Sequence, residues 1–454
     1  MSLSSEKTFS IRTLGCKLNQ YESECMRQRI EKSGLRYRTP DHRTDFCIIN
    51  TCTVTGKTDA RCRNAIRRAR RLSPDSVIIV TGCQVEISGN RLKRMKEVDY
   101  IIENSGKGKI DLLIAELAAG RTRVAESMDS RLRNYREPDR FPIDRFSNHA
   151  RAFIEIQNGC NAFCSYCIIP FARGRNRSIP PESVITQIRN LVRGGYQEVI
   201  LTGIHIGRYG EGEGFNIDLA GLLKMILEQT ERIRIRLSSI EPNEIELELV
   251  ELAASTERIA SHFHIPLQSG DDSILEKMNR RYRTSQYREK IEMISGNIKD
   301  VCIGTDMIVG FPGEKKLNFE KSAEFLESLP QIKYYHVFSY SDRPGTRASE
   351  MRGKINPAEK KRRSRTLIES GKKRRLEFLK SQPGNNRLAV ILEESGEKPG
   401  FFRAITGNYC NVAVKAEPRL IRKLVPVRVE RFENGRLTGK VCGRPYFEAG
   451  KNES

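Results

Sequence analysis

Residues 8–118 alternate short apolar runs with amphipathic stretches. The runs at 8–14, 45–50, 77–81 and 98–102 read as strands, and 58–72 carries the period of a helix. That rhythm predicts a small α/β domain with a parallel sheet over 7–120. It stops at 121–148, a stretch rich in arginine that contains Pro138 and Pro142 and is predicted to be a linker. Strand-like runs resume at 153–157, 198–202, 233–237, 262–267, 302–309 and 335–340, most of them separated by helical stretches. Six such units over 149–372 predict a partial (β/α)6 barrel, which keeps its chemistry at the C-terminal ends of its strands. The pattern changes again over 373–445. Short strands at 387–392 and 412–415 are followed by a pair, 427–432 and 436–441, that flanks Asn434-Gly435. Asn-Gly is a strong hairpin signal, and a small β-barrel of the oligonucleotide-binding type is expected. The tail from Glu448 is predicted to be disordered.

Charge changes this picture. The chain has 454 residues with 79 Lys and Arg against 57 Asp and Glu, a formal net charge of +22. An excess of that size favours a polyanionic partner, such as nucleic acid. Residues 61–71 hold six arginines on a predicted helix, and 350–380 holds twelve Lys/Arg against four Asp/Glu. In the second stretch Leu367, Ile368, Leu376 and Leu379 lie at roughly helical spacing, so a basic amphipathic helix is expected. At least one of the two stretches is expected to contact phosphates. No run is long and apolar enough to span a bilayer, and Met1–Lys7 lacks a signal-peptide core, so a cytoplasmic protein without a membrane partner is expected.

The chain has twelve cysteines, and the candidate chemistry lies among them. In a reducing compartment, clustered cysteines read as metal or redox groups rather than disulfides. Cys160, Cys164 and Cys167 form a CxxxCxxC just after the first barrel strand. Three thiolates at this spacing can hold an iron–sulfur cubane with one iron left open. A structural zinc site is the alternative, but it normally closes with four ligands and no fourth cysteine follows nearby. Cys16, Cys52 and Cys83 each follow a predicted strand of the N-terminal domain. Strand ends of a parallel sheet share one edge, so three thiols far apart in sequence can converge there. The flanking Gly15 and Gly82 would let the backbone approach a bulky group. Cys25, Cys47, Cys62, Cys302, Cys410 and Cys442 lack this pattern and read as structural.

The CxxxCxxC with Tyr166 before its last cysteine resembles the signature of radical S-adenosylmethionine enzymes. With the N-terminal trio and the terminal β-barrel, residues 8–441 resemble the methylthiotransferase family. Gly15-Cys16-Lys17-Leu18-Asn19-Gln20-Tyr21-Glu22-Ser23 looks like the branch acting on N6-threonylcarbamoyladenosine in tRNA, although that branch usually has valine where Leu18 stands.

The resemblance implies two [4Fe–4S] clusters and S-adenosylmethionine. Cys160, Cys164 and Cys167 would serve reductive cofactor cleavage, and Cys16, Cys52 and Cys83 would hold the sulfur. Methylation from a second S-adenosylmethionine would precede transfer to carbon 2 of the adenine at position 37, 3′ of the anticodon. The terminal barrel resembles the family's RNA-binding TRAM domain. Partners implied are tRNA and an electron donor such as flavodoxin or ferredoxin, with the chain a monomer. Isopentenyladenosine in tRNA or a ribosomal protein are alternative substrates. A cluster-bearing RNA-binding sensor without turnover is the alternative of another class.

By the same resemblance, Tyr166, Thr202, Gly203, His205, Ser239, Glu241, Gln268 and Phe338, near the cluster motif or at barrel strand ends, are candidate cofactor contacts. A threonylcarbamoyl group carries a carboxylate, so Arg280, Arg281 and Arg343, just past strand ends, are candidate substrate contacts.

Overall fold

The computed structural model describes residues 7–120, 143, 145–146, 149–396 and 399–448. Most of the predicted 121–148 linker and the tail beyond Glu448 lie outside the described residues. Among the described residues, no helix is long and apolar enough to cross a membrane.

The N-terminal unit is a five-stranded parallel sheet. Its strands are β1 (Thr8–Thr13), β2 (Arg36–Tyr37), β3 (Phe46–Thr51), β4 (Val77–Gly82) and β5 (Tyr100–Ile102), in the order β2-β1-β3-β4-β5. The helices α1 (Lys17–Lys32), α2 (Gly56–Leu72), α3 (Cys83–Lys93) and α4 (Ile110–Ala118) complete it. Every residue of β3 is buried, as a central parallel strand requires. The two-residue β2 is too short to leave a period in the sequence. In this strand order the chain reverses direction between β1 and β3, and the crevice outside the strand ends there is where such sheets take ligands.

Six parallel strands follow: β6 (Ala152–Glu155), β7 (Glu198–Thr202), β8 (Arg234–Leu237), β9 (His262–His264), β10 (Cys302–Val309) and β11 (Ile332–Ser339). They form two three-stranded halves, β8-β7-β6 and β9-β10-β11. Bridges at Ile235–Ile259 and Ser239–His264 join the halves into the expected partial barrel. Residues 386–441 then close a five-stranded barrel from β12 (Asn386–Glu394), β13 (Phe401–Thr406), β14 (Asn411–Lys415), β15 (Leu424–Glu433) and β16 (Arg436–Val441). Strand β13 carries no clean alternation and escaped the sequence reading.

A helix over Pro357–Lys380 connects the two barrels. Its predicted apolar stripe is corrected by the structure. Leu367 is buried, but Ile368 and Leu376 face solvent. The packed face instead uses Arg363, Leu367, Gly371 and Phe378, because Gly371 receives the Tyr335 ring. Several of its arginines are also committed internally. Arg363 pairs with Glu314 at 2.6 Å, and Arg374 and Arg375 donate to backbone carbonyls.

The terminal barrel is fastened by strand β8, where Ile235 and Leu237 enter the apolar core and Arg234 and Arg236 take the other face. Arg234 donates to the carbonyls of Leu388 and Ile405, and Arg236 to those of Thr406 and Gly407. Buried Glu198 holds both guanidiniums, at 2.5 and 3.0 Å, and also Arg151 at 3.2 Å. Burial opposes ionisation of Glu198, but Arg234, Arg236 and Arg151 outweigh it and keep its carboxyl far below the usual carboxylate range.

Glu198→Gln should therefore cost about 3–5 kcal/mol, because it leaves buried arginines uncompensated; the midpoint of urea unfolding measures this. The folded-state pKa of Glu198 is depressed. Its contribution is complete at neutral pH and is lost as pH falls below the ordinary carboxylate value of about 4.3. The gap between the unaltered protein and the variant should narrow on acidification.

Candidate active site

The six cysteines singled out above fall into two groups. Cys16 caps α1 after β1, Cys52 follows β3, and Cys83 opens α3 after β4. All three stand on the sheet edge that flanks the chain reversal. Burial raises the Cys16 thiol above its usual value, although Arg173 opposes this. Backbone crowding draws the three loops together. A Cβ on Gly15, at φ +110°, would lie 2.6 Å from the Cys52 Cβ, and one on Gly82, at φ +101°, would collide with the Thr51 carbonyl. Burial, with the neighbouring Cys16 and Cys83, pushes the Cys52 thiol up to about 12. Three thiols on one sheet edge are donors of the type that a metal cluster takes.

Cys160, Cys164 and Cys167 lie on the loop between β6 and the short helix α5 (Ile169–Arg173). Gly159, at φ +72°, packs against the Arg175 carbonyl and has no room for a side chain. Burial and the adjacent Cys164 raise the Cys167 thiol to about 12. Cys160 sits 3.3 Å from Nδ1 of His205, whose Nε2 lies 2.7 Å from Glu244. Burial works against the Cys160 thiolate, but His205 outweighs it and lowers the thiol below its usual value. Burial likewise works against protonated His205, and Cys160 and Glu244 overrule it and raise the imidazole to about 9. Arg280 donates to Cys164 at 3.3 Å and to the Tyr166 hydroxyl at 3.4 Å, and Glu241 holds its guanidinium. Cys160 and Cys164 thus each have a cation beside them.

The two groups are joined. Arg173, at the end of α5, donates to Cys83 Sγ at 3.1 Å and to Asn19 Oδ1 at 2.5 Å, and it is ion-paired with Glu22. Lys107 reaches the same Glu22 at 2.5 Å. Burial would raise the Glu22 carboxyl, but Arg173 and Lys107 hold it at about 2. Arg343 forms a second clasp between the units, to Asp59 at 2.7 Å and Thr53 at 2.5 Å.

A family model described as Radical SAM superfamily matches residues 154–326, and one described as Uncharacterized protein family UPF0004 matches residues 8–103. Threonylcarbamoyladenosine tRNA methylthiotransferase MtaB of Aquifex aeolicus (strain VF5) is 36% identical over 91% of this chain and 98% of its own length. The protein of the same name from Bacillus subtilis (strain 168) is 36% identical over 97% of this chain and 95% of its own. This chain belongs to the methylthiotransferase family. It is an enzyme of the radical S-adenosylmethionine class, which implies a [4Fe–4S] cluster and S-adenosylmethionine. Among solved structures, the radical S-adenosylmethionine methyltransferase TsrM from Kitasatospora setae, with cobalamin and a [4Fe–4S] cluster bound, shares the fold. The TM-score is 0.52 at 13% identity, over 76% of this chain and 77% of that one.

In this methylthiotransferase, His205, Glu241, Arg280 and Arg281 line one cleft with Cys164, Glu244 and Tyr282. The other residues singled out from the sequence lie apart from it or are already committed. The Thr202 carbonyl accepts from Ile156 at 3.0 Å. Gly203 abuts Gln157, whose Oε1 accepts from the amides of Ile204 and His205 at 3.0 and 2.6 Å. Ser239 is 2.8 Å from His264 Nδ1. Gln268, at φ +65°, uses its backbone to pair with Asp306 and Ile308. Phe338 is exposed, its ring centroid 6.5 Å from that of His336.

Arg280 and Arg343, expected to face the substrate, are each held by a carboxylate of the protein. Both side chains are buried, Arg280 against Glu241 and Arg343 against Asp59. Arg281 remains exposed at the cleft. Among the cysteines read as structural, Cys62 packs under the Cys52 loop at 3.4 Å, whereas Cys442 is exposed rather than buried.

Sequence reasoning missed Arg173, Glu22, Lys107, Gln157 and Glu244. It also missed a polar group on the barrel strands, in which Asp306 lies 3.3 Å from His264 and 3.1 Å from His336. The alternation of His262 with His264 on one strand, matched by His336 on another, was the available signal for that group.

Gly82→Ala should lower stability by about 1–3 kcal/mol through backbone strain alone, and by more once the Thr51 collision is added. A fall in the thermal midpoint, with faster alkylation of Cys52 and Cys83 in the metal-free protein, is the expected result.

Proposed function

We propose that this chain transfers a methylthio group to carbon 2 of N6-threonylcarbamoyladenosine at position 37 of tRNA. The observation that carries the reading is the near full-length similarity to enzymes named for that substrate, at 36% identity. Cys160, Cys164 and Cys167 hold one [4Fe–4S] cluster in this reading, and Cys16, Cys52 and Cys83 hold a second. When bound, the first cluster with S-adenosylmethionine supplies hydrogen-atom abstraction from an unactivated carbon, and the second supplies sulfur.

The chain's own residues set the electrostatics of both sites. His205, oriented by Glu244, and Arg280, held by Glu241, offset thiolate charge at Cys160 and Cys164. Arg173 does the same at Cys83. His205 and Glu241 also gain support as cofactor contacts, since both line the cleft beside Cys164. Tyr166, Thr202, Gly203, Ser239, Gln268 and Phe338 are retained as candidates by their place in the cluster motif or at strand ends.

The closed barrel over 386–441 is the proposed RNA-binding TRAM domain. Exposed Arg428, Arg431, Arg436 and Lys440 on β15 and β16 support this, and exposed Arg61 and Arg71 on α2 are a second candidate phosphate contact. The domain divisions 7–120, 149–372 and 373–445 are proposed as sulfur, radical and RNA-binding units, and a flavodoxin or ferredoxin as the electron source.

Nucleosides from tRNA of cells lacking the gene should lose 2-methylthio-N6-threonylcarbamoyladenosine by mass spectrometry. Unchanged levels, or loss of the methylthio-isopentenyl nucleoside instead, would overturn the substrate assignment. Anaerobically reconstituted protein should bind about eight irons per chain, and about four after Cys16→Ala, Cys52→Ala or Cys83→Ala. Those variants should still form 5′-deoxyadenosine under reduction, whereas Cys160→Ala should not. Affinity for tRNA should fall steeply with salt.

A further inference from the structure

Strands β9, β10 and β11 divide their residues between two faces. Phe263, Ile303, Met307 and Tyr335 join the apolar core. The period of two sends His264, Asp306 and His336 to the opposite face. The parallel register sets Asp306 beside His336, and His264 beside Gly304, two residues before Asp306. Two imidazoles and a carboxylate therefore meet, and one ligand atom from each lies within 4.8 Å of the others. Asp306 Oδ1 is 3.3 Å from His264 Nε2 and 3.1 Å from His336 Nδ1.

The side chains of His264 and Asp306 are only 11% and 23% exposed, whereas His336, at 58%, leaves the group open on one side. Nδ1 of His264 is 2.8 Å from the hydroxyl of Ser239, just past β8. When Nδ1 donates to that hydroxyl, Nε2 carries a lone pair and faces the Asp306 carboxylate, so two electron-rich atoms lie 3.3 Å apart. When Nε2 carries the hydrogen instead, the ring does not aim it at Asp306. Among the described residues, this buried nitrogen has no hydrogen-bond partner. A cation held between the two atoms satisfies both.

The spacing fits such an ion. Ligands at about 2.0–2.2 Å from one metal stand roughly 2.9–3.5 Å apart, and the two contacts to Asp306 are 3.1 and 3.3 Å. Two imidazoles and one carboxylate suit zinc and other divalent first-row ions, and three protein ligands leave a position open. Ser239 stands where a ligating imidazole needs a partner on its other nitrogen.

We propose that His264, Asp306 and His336 bind one divalent transition-metal ion, at a site that uses none of the cysteines. Its open position takes an oxygen ligand, either water or a hydroxyl or carboxylate of a bound substrate. The site stands whether or not the substrate is N6-threonylcarbamoyladenosine.

The test is zinc binding by the full-length protein with its iron reconstituted anaerobically, followed by equilibrium dialysis and by X-ray absorption at the zinc edge. About one zinc per chain should bind, with nitrogen and oxygen neighbours at about 2.0–2.2 Å and no sulfur at about 2.3 Å. His336→Ala, at the exposed ligand, and Asp306→Asn should abolish this binding. Ser239→Ala should weaken it by about ten- to hundredfold. Iron content and thermal midpoint should be retained in all three. His42→Ala, whose imidazole contacts Thr39 on the N-terminal unit, should leave zinc binding unchanged. Sulfur neighbours around the zinc, or binding indifferent to the three substitutions, would overturn the assignment, as would zinc lost only together with iron. Absence of zinc binding, with a raised KM for tRNA in the same variants, would also overturn it and mark the trio as hydrogen-bonding groups alone.

Discussion

The carboxylate of Glu22 is the point on which the geometry of this molecule turns. It is buried at the junction of the N-terminal sheet and the barrel, and it survives there as an anion because Arg173 arrives from the barrel and Lys107 from its own unit. Neither cation is replaceable by water at that depth. The same guanidinium touches Cys83. One arginine therefore docks the domains and fixes a cysteine of one group relative to the loop that bears the other. Because α5 begins two residues after Cys167, Arg173 cannot shift without moving the CxxxCxxC loop.

A common rule governs the rest of the site. Wherever thiols gather, a cation stands in contact, and a carboxylate behind it holds that cation in place: Arg173 with Glu22, Arg280 with Glu241, and His205 with Glu244. The outer carboxylates keep the positive groups oriented and ionised, so the cation geometry does not depend on the thiols being charged. Glu198 plays a comparable part at the far side of the barrel, although there the arginines grip a neighbouring domain instead of a thiol.

The cysteine trios were legible in the sequence because their signal is local. A motif of fixed spacing, or a strand followed by a cysteine, can be read without knowing what lies across the fold. The six barrel strands and the closing hairpin were legible for the same reason. The partners of the arginines were not. Arg280, Arg281 and Arg343 look alike in sequence, each a cation past a strand end, and only tertiary placement reveals that two face carboxylates and one faces solvent. Strand β13 escaped because Ala404 and Ile405 are buried in succession, which blurs the alternation expected of a barrel strand. On the Pro357–Lys380 helix, the composition of a charged run hid arginines that serve as internal struts.

The grip on the terminal barrel has a consequence for how the chain can change. Arg234, Arg236 and Arg375 hold that barrel through the carbonyls of Leu388, Ile405, Thr406, Gly407 and Tyr409 rather than through its side chains. A carbonyl is present whatever residue occupies the position. The attached barrel can therefore drift widely in sequence, and with it the RNA surface it presents, while the three arginines and Glu198 hold it at an unchanged distance from the catalytic half. Divergence in that barrel is structurally cheap, whereas a single substitution at Glu198 is not.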